Sequence, residues 1–366
     1  MELDRRRLIV AGGAVIAGGP GWRAVRVDPA PLDRLLEAHA DALPERVGAG
    51  ANHYPMAAEV LEALGHEEAI EEGWVRGAEG YAGALPRAGA IEGLGRDALG
   101  DYEGRFGDWL DHFRGALGRE SWQAVVRTWA PRLAGGLVGA TFHGLIRTAH
   151  AVRALRRART PARLGELAVG LAYWAARYVE LPTREGDPGA GDLRTTLPGL
   201  EHPWLDDETD VPFDDVLIRM TERPIAPSVQ MESGDVRAGL DALVREAALA
   251  FLEMLVQERH RIWLLHTVTG PAAIDLLLPE LDDEGARLLL AHARQAVVAL
   301  YTAYGAPYTA GAHLREAPGE WPDLIEQAAS SRSVHTIKLL EALRRFDHDP
   351  GDMLVRSVAA QWLEWK

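Results

Sequence analysis

Pro31-Leu-Asp-Arg-Leu-Leu-Glu-Ala-His-Ala-Asp-Ala-Leu-Pro-Glu-Arg-Val47 sets the pattern that most of the chain repeats. Leu32, Leu35, Leu36, Ala40 and Leu43 recur at the spacing of one apolar helix face, and Pro31 suits a helix start. The spacing predicts a helix within 31–47. Working outward, the same period predicts helices over 55–64, 106–117, 122–133, 136–155 and 161–178. A second set follows over 236–260, 262–281, 284–304, 333–346 and 352–365. Alternating, strand-like patterns are scarce, the best being 22–27. The expected fold is all-α, one large helical domain over 31–366, divisible into two lobes, with a central pocket between helices. The segment 181–212 is dense in Pro, Gly, Asp and Thr without helical period. It is too long for an ordinary connection, so it reads as a lobe boundary or a functional loop over a pocket.

Residues 1–30 are expected to lie outside this domain. Arg5-Arg-Arg7 ahead of the apolar stretch 8–17 loosely resembles a twin-arginine export signal. No A-x-A-like cleavage site follows cleanly, and a start codon placed too early would look the same. A cytoplasmic protein is the expectation and export the alternative. No apolar run reaches the roughly 20 residues that span a bilayer, so no membrane partner is expected.

Composition narrows the chemistry. The 366 residues carry 39 basic and 54 acidic side chains, a formal charge of −15, and no cysteine. Disulfides, thiolate–metal sites and thiol nucleophiles are therefore excluded. A chain this acidic lacks the basic footprint of a nucleic-acid binder. Walker A, G-x-S-x-G and complete dinucleotide-binding motifs are absent, and His66-Glu-Glu68 lacks the second histidine of a zincin. No histidine has a glutamate three residues before it, which removes the Glu-x-x-His pairs of ferritin-like di-iron bundles.

Histidines remain as the carriers of chemistry. His39, His66, His112, His202, His292, His313 and His348 stand beside charges or in loops, where a solvated or capping role is expected. His53 precedes a helix whose first turn holds Pro55, so Asn52 or His53 could cap it. Asn52 is the only asparagine in the chain, which suggests a need for an amide that both donates and accepts. His143 and His150 lie seven residues apart on one helix face, about 10 Å along the axis, too far to share one ion easily. Gly144 would let another helix approach beside His143. His266 sits among Ile262, Leu264, Leu265 and Val268, where a core role and a metal-ligand role are both open. His335 and Lys338 are one turn apart. Arginine serves every other internal cationic position, and Lys338 is one of only two lysines. A desolvated amine can lose its proton or react with CO2 to form a carbamate, which a guanidinium cannot do. The alternative is an ion pair between Lys338 and Glu341 at i,i+3.

Six short segments in this order resemble the questin oxidase-like family over roughly 32–365. They are Asn52-His-Tyr-Pro-Met-Ala-Ala-Glu59, Asp108-Trp-Leu-Asp-His-Phe113, His143-Gly-Leu-Ile-Arg147, Leu171-Ala-Tyr-Trp174, His266-Thr-Val-Thr-Gly270 and His335-Thr-Ile-Lys338. The resemblance implies a helical fold and Baeyer–Villiger-type or C–C-cleaving ring opening of an aromatic polyketide such as an anthraquinone. It also implies one non-haem iron held by histidines from separate helices and a carboxylated lysine. Carried over by position, the ligands are His53, His143, His266, His335 and Lys338. Tyr54 departs from the small residue often found in bacterial relatives.

On this expectation O2 and a small aromatic compound are the partners, and Fe2+ is the cofactor, with zinc, nickel or manganese also compatible with such ligands. NADPH as reductant stays open, since no nucleotide fingerprint is present. Tyr54, Trp174, Tyr178 and Trp263 are the candidates for stacking on a planar substrate, with core packing the plainer role for each. Two other readings stand beside the oxygenase. One is a metal-dependent hydrolase and the other a non-catalytic helical protein that binds a small molecule.

Overall fold

The computed structural model describes residues 9–11, 14–16, 25–26, 29–46, 50–93, 95–184, 189, 191–206, 211–231, 233–258, 262–308, 314–315, 318–349 and 351–365. Arg5–Arg7, which loosely resemble an export signal, and His313 lie outside them. The architecture is helical, as the periodicity predicts. The first half contains α1 (Pro31–Ala38), α2 (Tyr54–Leu64), α3 (Glu72–Arg76), α4 (Tyr102–Arg119), α5 (Trp122–Leu133), α6 (His143–Arg157) and α7 (Pro161–Ala176). After the short α8 (Leu193–Thr196) come α9 (Phe213–Glu222), α10 (Val236–Val256), α11 (Ile262–Leu277) and α12 (Asp283–Tyr304). The chain ends with α13 (Trp321–Ser330), α14 (Val334–Arg345) and α15 (Leu354–Trp365). Extended structure is minor. β1 (Ile9–Ala11), β2 (Ala14–Ile16) and β3 (Val25–Arg26) pair antiparallel, and β4 (Glu45–Arg46) pairs with β5 (Gly50–Ala51).

Local chemistry sets many of the boundaries. Asp101, Ser121, Thr160, Asp235, Asp282 and Ser333 each accept a first-turn N–H and start α4, α5, α7, α10, α12 and α14. Two expectations need correction. The helix expected within 31–47 ends at Ala38, because the next residue, His39, turns its ring inward to bond Trp74 and Asn52. Leu43 N–H then bonds the Tyr81 carbonyl instead of continuing a helix. The helix expected over 136–155 begins only at His143, because Ala140, Thr141 and Phe142 all have positive φ, between 46° and 66°. Helices α9 and α13, and the short α3 and α8, were not expected from the sequence.

One apolar cluster joins α4–α7 to α10–α15, and a smaller one joins α1, α2 and α3 to Ile337 of α14. Helix α11 is the axis of the larger cluster and packs against α6, α10, α12 and α14. Its apolar character all round follows from that burial. By length and composition Ile262–Glu280 could cross a membrane, but 72% of that window is buried by the rest of the chain.

Close approach of α6 to α7 depends on glycine. A Cβ at Gly144 would lie 2.5 Å from the Trp174 Cα, and one at Gly170 would lie 2.8 Å from the Thr148 backbone nitrogen. The obstructing atoms are backbone, so neither clash can be relieved by a rotamer change. Gly144→Ala is therefore expected to cost about 1–3 kcal/mol in urea denaturation. An unchanged midpoint would show that the two helices slide apart freely.

Candidate metal centre

His53 reaches the site from the N-terminal end of α2, delivered by the β4–β5 hairpin. Asn52, just before it, is fully buried and uses both ends of its amide. Nδ2 donates to His39 Nδ1 at 2.9 Å, and Oδ1 accepts from Tyr54 N–H at 3.3 Å. His39 Nε2 in turn donates to the Trp74 carbonyl at 2.9 Å. The expectation that His39 is solvated or merely caps is thus wrong. It is buried, and burial pushes its pKa down to about 4, which keeps Nδ1 a lone-pair acceptor at neutral pH. Aspartate at 52 would keep the acceptor and lose the donor. Asn52→Asp is expected to cost about 1–3 kcal/mol in thermal stability and to weaken metal binding roughly 10- to 100-fold. A chelator-competition titration identical to wild type would refute the positioning role.

His143 stands at the start of α6, after the left-handed run at Ala140–Thr141–Phe142. A β-branched residue at φ 54° is a true outlier, and each such residue costs on the order of 1–3 kcal/mol. The surroundings that enforce it are specific. The Phe142 ring lies over Gly270 of α11, where a Cβ would come within 2.5 Å of it. The run thereby ties the first turn of α6 to the helix that carries His266. The Ala140 carbonyl also accepts from His143 Nδ1, which leaves the Nε2 lone pair directed at the other imidazoles. His266 repeats the arrangement, since its Nδ1 donates to the Ile262 carbonyl at 3.1 Å. An imidazole held through one nitrogen by a backbone carbonyl is the usual setting of a metal-binding histidine.

The four imidazoles converge from α2, α6, α11 and α14. Ring centroids are 4.7 Å apart for His53 and His143, 4.4 Å for His53 and His335, 4.7 Å for His143 and His266, and 5.7 Å for His266 and His335. Ligand atoms of His53, His266 and His335 all lie within 4.8 Å of one another, so this triad could hold a metal ion. His143 Nε2 is 2.9 Å from His53 Nε2. Two nitrogens bound to one ion at about 2.1 Å and at right angles would lie about 3 Å apart. The distance also suits a hydrogen bond, so it does not decide the matter alone. Two unpartnered groups add weight: His266 Nε2 and Lys338 Nζ are buried without any hydrogen-bond partner. Such groups are costly unless something else satisfies them.

Electrostatics at the cluster run one way. Burial, then the Lys338 charge, lowers His53 well below its ordinary value and takes His143 to about 3. Burial and then the neighbouring imidazoles lower His266. Burial alone brings Lys338 from 10.5 to about 7. The ion pair considered between Lys338 and Glu341 is not formed. Glu341 bonds Arg153 and Arg345 instead, the latter at 2.8 Å. Lys338 is thus a buried amine beside imidazoles, with no carboxylate among the described residues to hold its proton.

About two to three turns further along α2, α6 and α14 lies a layer of charge. Glu59 accepts from Arg153 Nε at 2.8 Å and Nη2 at 2.6 Å, and pairs with His150 Nδ1 at 2.7 Å. Arg153 also bonds Glu341. The three helices that present His53, His143 and His335 are therefore locked together just beyond those residues. His150 belongs to this layer, consistent with the axial spacing that separates it from His143.

The aromatic candidates are scattered. Tyr54 lines a cavity of about 290 Å³ that opens on His53, together with Trp74, Tyr81, Arg332, Ser333 and Val334. Trp174 is buried against α6, and Trp263 stacks on Tyr304 at 6.0 Å. Tyr178 lines a separate groove with Trp129, Arg132 and His292. Of the four, only Tyr54 lines the cavity at His53. Trp74, Tyr81 and Arg332 reach the cavity from outside the histidine motifs and carry no signal in the sequence. Glu59 lay within a quoted motif, six residues after His53, but a lone acidic residue on a helix carries no signal.

No family model, curated protein or solved structure matches the chain in sequence or fold comparison.

Proposed function

We propose that the protein is a mononuclear non-haem metal enzyme, an iron-dependent oxygenase that uses O2 to open or cleave a small aromatic substrate. The ligands in this reading are His53, His143, His266, His335 and a carboxylated Lys338. The observation that carries it is the convergence of four buried or half-buried imidazoles on an unpartnered lysine, with no carboxylate in the cluster. Protonating such a group of bases would bury uncompensated charge, whereas a divalent ion gives every lone pair a partner. A carbamate on Lys338 would supply the single negative charge the donor set lacks. The resemblance to questin oxidase-like proteins, resting on the six motifs, supports the same ligands and the oxidative chemistry.

Bound by these donors, a redox-active divalent ion supplies the Lewis acidity and one-electron chemistry that let O2 react with an aromatic ring. The chain's own contribution is positional. The Ala140 and Ile262 carbonyls fix the tautomers of His143 and His266, and burial keeps these imidazoles neutral, with Nε2 unprotonated, at neutral pH. Tyr54 and Trp74 offer ring faces for a planar substrate beside His53. Among the described residues the cavity lining contains no carboxylate to serve as general base, which favours the oxygenase over a water-activating hydrolase.

Oxygen uptake by iron-loaded protein, screened against hydroxylated naphthoquinones and anthraquinones with and without NADPH, tests the reading. Substrate-dependent O2 consumption that His266→Ala abolishes is expected. Zinc as the resident ion with no uptake would favour the hydrolase. A protein with no resident transition metal would be a binding protein.

A further inference from the structure

The cavity at His53 has a chemical bias that the metal reading does not require. Its walls are aromatic. Tyr54 and Trp74 face each other with ring centroids 5.8 Å apart and planes inclined by 47°. The Tyr54 ring is held there because Gly77 leaves room for it, a Cβ at that position coming within 2.5 Å of Tyr54 Cε2. Tyr81 spends its hydroxyl on the Ala51 carbonyl at 3.1 Å and presents the remainder of its ring. Among the described lining residues Arg332 is the only one with a permanent charge.

Arg332 is placed unusually. It has φ 56°, a left-handed conformation rare for a residue with a side chain, and stands immediately before Ser333, which caps α14. Its position on the rim is therefore tied to the helix that carries His335 and Lys338. The guanidinium Nε bonds Glu71 at 2.8 Å, but both side chains are well exposed, at 73% and 38%. A pair in that setting contributes about 0–1 kcal/mol and can be exchanged readily. Arg332 also borders a second groove, lined by His66, Glu68, Glu71 and Glu326. The guanidinium thus stands between an acidic groove and an aromatic cavity with no acid of its own. In a chain of net charge −15, an anion approaching the cavity needs such a local cation.

We infer that Arg332 selects an anionic aromatic substrate, a small planar ring system bearing a carboxylate or an ionised phenol, and that Glu71 holds the guanidinium until that anion replaces it. The cavity, about 290 Å³, is at the small end of ligand pockets, which span roughly 300–1,000 Å³, and suits one or two fused rings. Planar, bidentate recognition of oxyanions is what a guanidinium does best. The inference rests on the functional reading for calling this ligand a substrate, but the charge preference itself needs no metal.

The test is calorimetric titration of chelator-treated, full-length protein with naphthoate and its neutral isostere naphthamide. Removing metal excludes direct coordination of the carboxylate. Wild type is expected to bind naphthoate about tenfold more tightly than naphthamide, the worth of one charge-assisted hydrogen-bonded pair. Arg332→Gln should erase that preference and leave naphthamide affinity unchanged. Glu71→Gln should tighten naphthoate binding two- to fivefold with no effect on naphthamide. Equal affinities in wild type, failure of both probes to bind, or a preference that survives Arg332→Gln would overturn the inference. A charge preference found in a protein that takes up no metal would instead overturn only the oxygenase reading.

Discussion

Lys338→Met is expected to abolish metal binding and, in the same step, to stabilise the metal-free protein by roughly 1–4 kcal/mol. Both effects come from one property. The amine is buried with no hydrogen-bond partner and no counter-charge, so folding without a ligand must either desolvate an ammonium or strip its proton. Methionine fills similar space without that penalty. The pH dependence is distinctive. The folded value is about 7 against 10.5 for the free side chain, so below about pH 7 the penalty is complete. Between about 7 and 10.5 the unfolded chain binds a proton that the folded chain does not, and stability rises with pH. Above 10.5 the penalty is gone. Denaturation of metal-free wild type and Lys338→Met in CO2-free buffer should therefore give curves that converge as pH rises through that window. A constant gap would mean the amine is already satisfied. Metal uptake by wild type should also fall in CO2-free buffer and return with bicarbonate, and Lys338→Arg should fail to respond.

Glu59→Ala should act in the opposite direction, destabilising the protein by about 3–5 kcal/mol. Burial works to raise the Glu59 carboxyl, but the Arg153 charge and the hydrogen bonds from His150 and Arg153 outweigh it and hold the pKa at about 2. Its removal leaves Arg153 buried with Glu341 as its remaining acidic partner. Since Glu59 joins α2 to α6 and Arg153 joins α6 to α14, the loss should also loosen the three helices that present His53, His143 and His335. Metal affinity should drop about 10- to 100-fold, as for other groups that support a ligand shell. The stabilisation is complete above about pH 4.5 and is lost as pH falls towards 2, because the depressed carboxyl then takes up its proton. A variant that melts within a degree of wild type would show that the layer only fills space.

The histidines that meet were legible because each has small or apolar residues beside it. His266 lies in an apolar run, His143 beside a glycine, and His335 one turn from a rare lysine. Asn52 was legible through scarcity, and its amide does both donate and accept. His39 was not, because its neighbours are polar and its burial comes from Asn52 and the Trp74 carbonyl, distant in sequence. Helix periodicity placed α5 and α12 within a residue of their ends. It failed at 138–142, where nothing in Val-Gly-Ala-Thr-Phe announces three left-handed residues. That conformation is imposed by Phe142 seating on Gly270, a tertiary contact. The cavity was hidden for the same reason: Trp74, Tyr81 and Arg332 come from separate segments that only the fold brings to His53.

One metal ion is proposed to sit where these imidazoles meet. The decisive measurement is elemental analysis of untagged protein, purified from iron-supplemented cells, alongside His143→Ala and His266→Ala. Close to one iron per chain is expected in wild type and less than a tenth of that in either variant. No stoichiometric transition metal in wild type, even after anaerobic reconstitution with Fe2+, or full occupancy in both variants, would contradict it.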